Sequence, residues 1–363
     1  MNTTTSNVET IAPPRATSRG RRILRGIGRG VKWLGIGLVA LAVLGVAYQT
    51  IAPEIDKRTY SPRGQLYTVN GHQMHIYCTG EGSPTVILQA GGVAESLWWY
   101  RVQNQLAEHT RVCAFDRPGQ GRSEPTSGPR EALTIVGELH TLLQEAGVSA
   151  PYVMAGHSYG AILTRIYAAQ HPQEVVGIVL VDSQILNPKQ FASQSEFDAW
   201  KSQFEGTTLL AGWMTRLGLT RLITPGTFQK AGYPADIALE LAALQSRNQV
   251  VDTDKAEKLN AVWALTEASV AAEDLGDLPL AVLWASQTID GFDVIHAHTP
   301  GSQERYSTLR EEISAYSSNS MTRTIVGADH LSILGSEQYA QQVSDAILDV
   351  IASARTGQSL ASK

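Results

Sequence analysis

The chain has 363 residues, 43% of them apolar, and a net charge of −5. That is enough for one large domain or two small ones around a sizeable core. Seven basic residues against Glu9 give the first thirty-two residues +6, which leaves −11 for the remainder; an acidic body argues against a nucleic-acid partner.

Residues 1–30 are basic and are expected to form a disordered tail. After them comes an apolar run from Trp33 to Tyr48, with no charged residue between Lys32 and Glu54. This predicts a transmembrane helix over residues 31–52, with Trp33 and Tyr48 near the two interfaces. Arginines before the span and acids after it put the N-terminus in the cytoplasm and the body outside. The rival reading is a cleaved signal peptide, with Gly45-Val46-Ala47 as a small-x-small site and a secreted body. A buried core helix would leave the basic flank unexplained.

The body then alternates. A hairpin is expected across Tyr67–Cys78, turning at Asn70-Gly71, with His72 and His75 as strand-face residues. Thr85–Gln89 reads as a buried strand ending at Ala90-Gly91-Gly92, followed by an amphipathic helix from about Trp98 to Ala107. Arg111–Asp116 is the next strand and runs into a turn-rich loop, Arg117 to Ser123, in which Asp116 is expected to bind loop amides. Leu133, Val136, Leu139 and Leu143 have helical spacing. A strand through Val153, Met154 and Ala155 leads to Gly156-His157-Ser158-Tyr159-Gly160 and a helix through Ile162, Leu163, Ile166 and Ala169. Val175–Asp182 is another apolar strand. Such alternation means a mostly parallel sheet covered on both faces, an α/β fold. Residues 184–274 show only helical patterns and loops. The strand pattern resumes at Pro279–Ala285 and Thr322–Val326, and a last helix runs from Glu337 to about Ile351. Cys78 and Cys113 lie in strand-like runs; export would permit a disulfide, and the alternative is two small buried residues.

Gly-x-Ser-x-Gly between strand and helix is a nucleophile elbow. It holds the serine in a strained conformation with its hydroxyl clear of the sheet, which makes Ser158 the candidate nucleophile. A serine hydroxyl needs a base. His330, just after the last strand and at the sheet edge where such sites form, is the candidate. His157 is expected to pack beside Ser158 or line its pocket, and Trp98 and Trp99 to be pocket walls or core. His109, His140 and His171 read as solvated. His296 and His298 form an H-x-H pair with no accompanying Cys or carboxylate motif, so no metal is expected. Gly91-Gly92 lacks both the P-loop and the G-x-G-x-x-G spacing, and no cofactor is expected.

From about Ser61 to Ala352 the chain resembles the α/β-hydrolase fold superfamily. The resemblance lies in Gly156-His157-Ser158-Tyr159-Gly160, in Asp116-Arg117-Pro118-Gly119-Gln120-Gly121-Arg122-Ser123 and in Gly327-Ala328-Asp329-His330. It is nearest to esterase-like members with an N-terminal membrane segment and a Cys-Thr-Gly-x-Gly-Ser-Pro-Thr stretch, here Cys78 to Thr85. The resemblance implies a mostly parallel eight-stranded sheet with a core of residues 61–183 and 275–352. It implies that residues 184–274 form a helical cap over Ser158. It implies that Cys78 and Cys113 sit on neighbouring strands and are bridged. The oxyanion hole falls to the backbone N–H groups of Tyr159 and Gly92, with Val93 as runner-up. The acid that orients His330 is expected in the loop after Pro279–Ala285, at Asp290 with Asp293 beside it. Asp182 is the competitor, because some members carry the acid after the sixth strand. Epoxide hydrolases and dehalogenases of this fold attack with aspartate, where this chain has Ser158. The implied activity is that of a membrane-anchored serine hydrolase acting on a small-molecule carboxylic ester. The alternatives are an acyltransferase or amidase with the same triad, or a non-catalytic binding protein on this fold.

Overall fold

The computed structural model describes residues 18–128, 130–184, 193–257, 274–287 and 302–360. Helix α1 spans Ser18–Thr59. β1 (Gln65–Val69) and β2 (His72–Thr79) form the antiparallel hairpin, with Val69 opposite His72. Its turn residues Asn70 and Gly71 both have positive φ, 49° and 87°, the left-handed pair that matches strand twist in a two-residue hairpin. Then follow β3 (Thr85–Gln89), a short 3₁₀ turn at Ser96–Trp99, α2 (Tyr100–Leu106), β4 (Val112–Phe115), α3 (Ala132–Glu145), β5 (Tyr152–His157), α4 (Tyr159–Gln170) and β6 (Val175–Val181). Between β6 and the next strand lie α5 (Gln194–Arg216), α6 (Thr220–Lys230), α7 (Ala235–Gln245) and α8 over 248–257. The chain closes with β7 (Leu280–Ala285), α9 (Ser302–Ser314), β8 (Ser320–Ile325), α10 (Ser332–Gly335) and α11 (Glu337–Thr356).

The eight strands lie in the order β1-β2-β4-β3-β5-β6-β7-β8. β2 is antiparallel to β1 and β4, and every other pairing is parallel. Every residue of β3, β4, β5 and β7 is buried, as expected of strands covered on both faces. Alternate side chains feed two cores. Val86, Leu88 and Val153 meet Val102 of α2 and Val343, Ile347 and Val350 of α11 on one face. Ile87 and Met154 meet Leu139 of α3 and Ile162 and Ile166 of α4 on the other. The parallel strands thus bring their carboxyl ends to one sheet edge, where the loops carrying the candidate residues emerge.

Four expectations bear on the periphery. Cys78 and Cys113 stand directly opposite each other across β2 and β4, with Cα atoms 4.0 Å apart, and are bridged. The stretch 18–30 is helical instead of disordered. Once the apolar span has nucleated a helix, each adjoining arginine, leucine or isoleucine extends it at little cost. Residues 1–17 lie outside the described residues. Within α1, Arg25–Thr59 is long enough to cross a membrane and contains an 18-residue stretch of mean hydropathy 2.0, none of it buried. The region expected as a cap consists of helices joined by short turns where it is described, and residues 185–192 and 258–273 fall outside.

Candidate active site

Ser158 sits between the end of β5 and the start of α4 with φ 55° and ψ −121°. A side-chain-bearing residue holds that conformation only where its surroundings over-determine it. Here the Ser158 N–H donates to the Val181 carbonyl of β6 at 3.0 Å, and its carbonyl accepts from Ala161 N–H at 3.1 Å. The flanking glycines allow the turn: a Cβ on Gly156 would strike the Gly160 carbonyl, and one on Gly160 would strike the Gln89 carbonyl of β3. Ser158 itself is 6% exposed, so any substrate reaches it through a cleft.

His330, in the loop after β8, places its Nδ1 2.6 Å from Oδ2 of Asp182 at the end of β6. The other Asp182 oxygen accepts from the Ala285 N–H at 3.0 Å, which ties the carboxylate to β7. Burial alone would push the Asp182 carboxyl up; the hydrogen bond and charge of His330, with the Ala285 N–H, outweigh it and hold the group below the usual carboxylate range. Asp290, expected first, and Asp293 lie outside the described residues. The position they were expected to fill, at Nδ1 of His330, is taken by Asp182. Its sequence signal was an aspartate closing the apolar strand that follows the serine strand, and β5 and β6 are sheet neighbours.

His157 packs beside the site as expected. Its ring centroid lies 4.4 Å from that of His330, and its Nε2 donates to the His330 carbonyl at 3.0 Å. Burial, then the nearby His330, lowers its pKa to about 3, so it is a neutral tether for the His330 backbone. Trp98 lies tilted against His157, ring centroids 6.0 Å apart, and meets Phe228 of α6 edge-on at 5.5 Å. Trp98 and Trp99 are both buried in the core.

The loop Ala90-Gly91-Gly92-Val93 passes directly by the serine: a Cβ on Gly91 would stand 3.1 Å from Ser158 Cβ. Its shape is set from behind by Arg117. Nη1 donates to the Ala90 carbonyl and Nη2 to the Gly91 carbonyl, each at 2.7 Å. In a trans peptide the N–H lies opposite the C=O, so the Gly91 and Gly92 N–H groups face away from Arg117. Among the described residues, neither the Gly92 nor the Tyr159 N–H donates a hydrogen bond. Val93 has φ 51°, strained for a β-branched residue, and its carbonyl accepts from Gln245 of α7 at 3.1 Å. Arg117 is buried and paired with Glu257 of α8, Nε to Oε1 3.1 Å, which Arg130 also approaches at 3.4 Å. The sequence reading assigned Arg117 to a turn and gave it no role. The available signal was an Asp-Arg pair between a buried strand and a proline.

Other candidates fall elsewhere. Asp116 accepts from the Ser96 and Arg122 amides at 2.6 and 2.9 Å and pairs with His75 at 2.8 Å, the structural role expected of it. His140 and His171 stack at 4.0 Å beside Glu174. These three have ligand atoms close enough to hold a metal ion, but His171 caps the far end of α4, about 18 Å of helix from Ser158. His296 and His298 lie outside the described residues.

Residues 84–213 match the family described as the alpha/beta hydrolase fold. Among curated relatives, an uncharacterised protein of Schizosaccharomyces pombe is 30% identical over 192 residues, 45% of this chain and 35% of that protein. The chain spans between about a third and a half of the length of the first curated relatives it matches, 35%, 32% and 47%. A thermophilic esterase from Thermogutta terrifontis superposes with TM-score 0.57 at 19% identity, covering 81% of this chain and all of the esterase. A membrane phospholipase A, described as a bacterial virulence factor, gives TM-score 0.57 at 20% identity over 93% of this chain and 99% of its own. At such identities the likeness speaks for the fold. Taken with the strand order and the match over residues 84–213, it gives this chain the α/β-hydrolase fold.

Proposed function

We propose that the protein is a serine hydrolase that cleaves a carboxylic ester through an acyl-enzyme on Ser158. The observation that carries this reading is the strained Ser158 turn, whose neighbour His157 packs on the ring of His330, together with a part-buried carboxylate that holds His330 Nδ1. In the proposed cycle the Ser158 hydroxyl attacks the ester carbonyl and His330 Nε2 takes its proton. Asp182 fixes the tautomer that leaves Nε2 free and stabilises the imidazolium. The oxyanion is held by the Tyr159 N–H, at the positive end of α4, and the Gly92 N–H, which the Arg117 clamp turns away from itself. His330 then protonates the departing alcohol. Water, deprotonated by His330, attacks the acyl-serine and releases the carboxylic acid.

The same reading makes α1 a single membrane span, with the arginine-rich end in the cytoplasm and the hydrolase body outside. It is supported by the exposed apolar length of the helix and by the charges on either side. Helices α5–α8 act as the cap. What supports this is contact with the Ala90–Val93 loop, directly through Gln245 and by way of Arg117 through Glu257.

A fluorophosphonate probe tests the chemistry. Labelling of the native chain, lost in Ser158→Ala and His330→Ala, together with release of acid and alcohol from an activated ester, is the expected result. A folded native chain that neither takes the probe nor turns over any ester would be a binding protein on this fold. Protease added to intact spheroplasts tests the topology: the body should be cut, and the mature protein should retain Trp33–Tyr48. A mature N-terminus near Tyr48 would replace the anchor with a cleaved signal.

A further inference from the structure

Helix α1 does not stand clear of the body along its whole apolar length. A Cβ on Gly45 would strike the Leu217 carbonyl, and one on Gly218 would sit 3.6 Å from the Tyr48 ring. The bend between α5 and α6 is therefore seated on α1 at Gly45. Further along, Gln49 accepts from Arg221 Nε at 3.0 Å and donates to the Ser246 carbonyl. Asp56 pairs with Arg221 at 2.8 Å, both nearly buried. These contacts fix the height of the bend on α1. Gly45 lies nine residues before Glu54, the first charge after the span, which is about 13 Å along a helix. If α1 crosses a bilayer, the bend lies at the depth of the outer leaflet.

The side chains there match that depth. Leu209, Leu210 and Trp213 of α5, Leu219 at the bend, and Leu222 and Ile223 of α6 are between 41% and 78% exposed. Single exposed apolar residues are ordinary, but six large ones on adjoining turns next to an apolar helix are a surface waiting for a cover. Glu205 and Lys255 share a cleft with Leu209 and Trp213 and mark the headgroup side of the patch. Arg221 is buried on Asp56, and Arg216 pairs with Asp252 at 2.7 Å on a long, exposed stem that can reach outward to the headgroups.

We propose that the α5–α6 bend is a membrane-docking surface, covered by the acyl chains of the leaflet from which α1 emerges. This rests on the anchored reading above and deepens it. α6 touches Trp98 through Phe228, and α7 and α8 hold the oxyanion loop. A cap rested on lipid would present the site to esters carried in the leaflet.

The test uses depth-dependent fluorescence quenching in the full chain. Both native cysteines are bridged, so single introduced thiols can carry a bimane label. Leu38→Cys reports the span and Leu222→Cys and Ile223→Cys the bend. Glu145→Cys is the control, at the end of α3 on the opposite sheet edge. Each chain is reconstituted into phosphatidylcholine vesicles carrying a nitroxide either near the headgroup or deep in the chain. The expected result is deep quenching at Leu38, headgroup-side quenching at Leu222 and Ile223 several-fold above Glu145, and little at Glu145. Quenching at Leu38 with both bend labels matching Glu145 overturns the docking surface and leaves the anchor. No quenching at Leu38 overturns both. Neither outcome touches the serine chemistry, which probe labelling reads separately.

Discussion

Leu283 of β7 is 0% exposed and Leu222 of α6 is 78% exposed, although each belongs to an apolar cluster. Leu283 is held by hydrogen-bonded neighbours on both sides, β6 and β8, and by helices on both faces of the sheet. Leu222 belongs to a helix that touches the body on one side only. The difference separates two parts of the molecule. The sheet determines where Ser158, Asp182 and His330 stand, since each hangs from a strand end. The helical insertion touches them indirectly, through Arg117, Gln245 and Trp98. Changes at the strand ends should therefore cost far more activity than changes in the insertion.

The sharpest form of that comparison sets Asp182 against Asp290. Replacing the acid of a triad by its amide reverses the tautomer of the base while sparing the geometry, and typically costs about 10⁴ in kcat. Asp182→Asn is expected to lose that much on an activated ester while keeping its fold, and Asp290→Asn to keep near-full activity. The opposite pattern would return the acid to the loop after β7.

A second contrast concerns covalent support. The disulfide closes a loop with sequence separation 35 between β2 and β4, and the chain-entropy relation gives such a closure about 3–4 kcal/mol. A Cys78→Ala/Cys113→Ala chain should unfold at a lower urea concentration and with a steeper slope, because the unfolded chain loses its crosslink. It should label with the fluorophosphonate as before when folded, because the bridge lies at the other side of the sheet order from β5 and β6. Loss of labelling in the folded variant would mean that the site depends on this edge.

The insertion should show itself through Arg117. Removing one oxyanion donor outright costs about 10²–10³ in kcat, so loosening the loop that carries one should cost less. Arg117→Met alone would leave Glu257 buried with only Arg130, and breaking a buried pair destabilises. The cleaner variant is Arg117→Met with Glu257→Gln. Its kcat should fall by about ten- to a hundredfold with KM little changed. Arg117→Lys should rescue poorly, because an ammonium cannot donate to two carbonyls in the fork geometry. An unchanged kcat in the folded double variant would reduce Arg117 to a structural ion pair.

What could be read from the sequence divides along the same line. The serine turn, the hairpin at Asn70-Gly71 and the α/β alternation were legible because each is written in neighbouring residues. Asp182 was visible as a candidate but ranked second. Which strand-end acid meets His330 depends on how the loop after β8 folds back, and no local pattern records that. Arg117 and Glu257 stand 140 positions apart, so their pairing had no sequence signal at all. The apolar residues of α5 and α6 showed helical pattern without telling whether their apolar face meets protein or something outside it. The tail at 18–30 was read from charge, and helix propagation from its neighbour overrode that.

The smallest expected effect tests the sheet side alone, through His75 of β2. Its Nδ1 faces the Asp116 carboxylate at 2.8 Å, and its Nε2 meets the Arg63 carbonyl. Both partners are acceptors, so the ring is held doubly protonated. Burial alone would lower its pKa, but the Asp116 charge and contact overcome this and raise it above 6.5. On Asp116, burial pushes upward, and His75 with the Arg122 and Ser96 amides brings the carboxyl down to about 2, against an ordinary 3.8. The signs then follow. The raised His75 gives stability that is complete below 6.5 and lost as pH rises through its folded value. The depressed Asp116 gives stability present above 3.8 and lost as pH falls through about 2. Between pH 6 and about pH 9, the urea midpoint of the native chain should fall, and that slope should be reduced in His75→Gln. Leu222→Asp, which changes only the insertion's outer surface, should keep the native slope. A slope that survives in His75→Gln would assign the alkaline loss to another group and remove this pair from the account of what holds β2 to the loop beside the site.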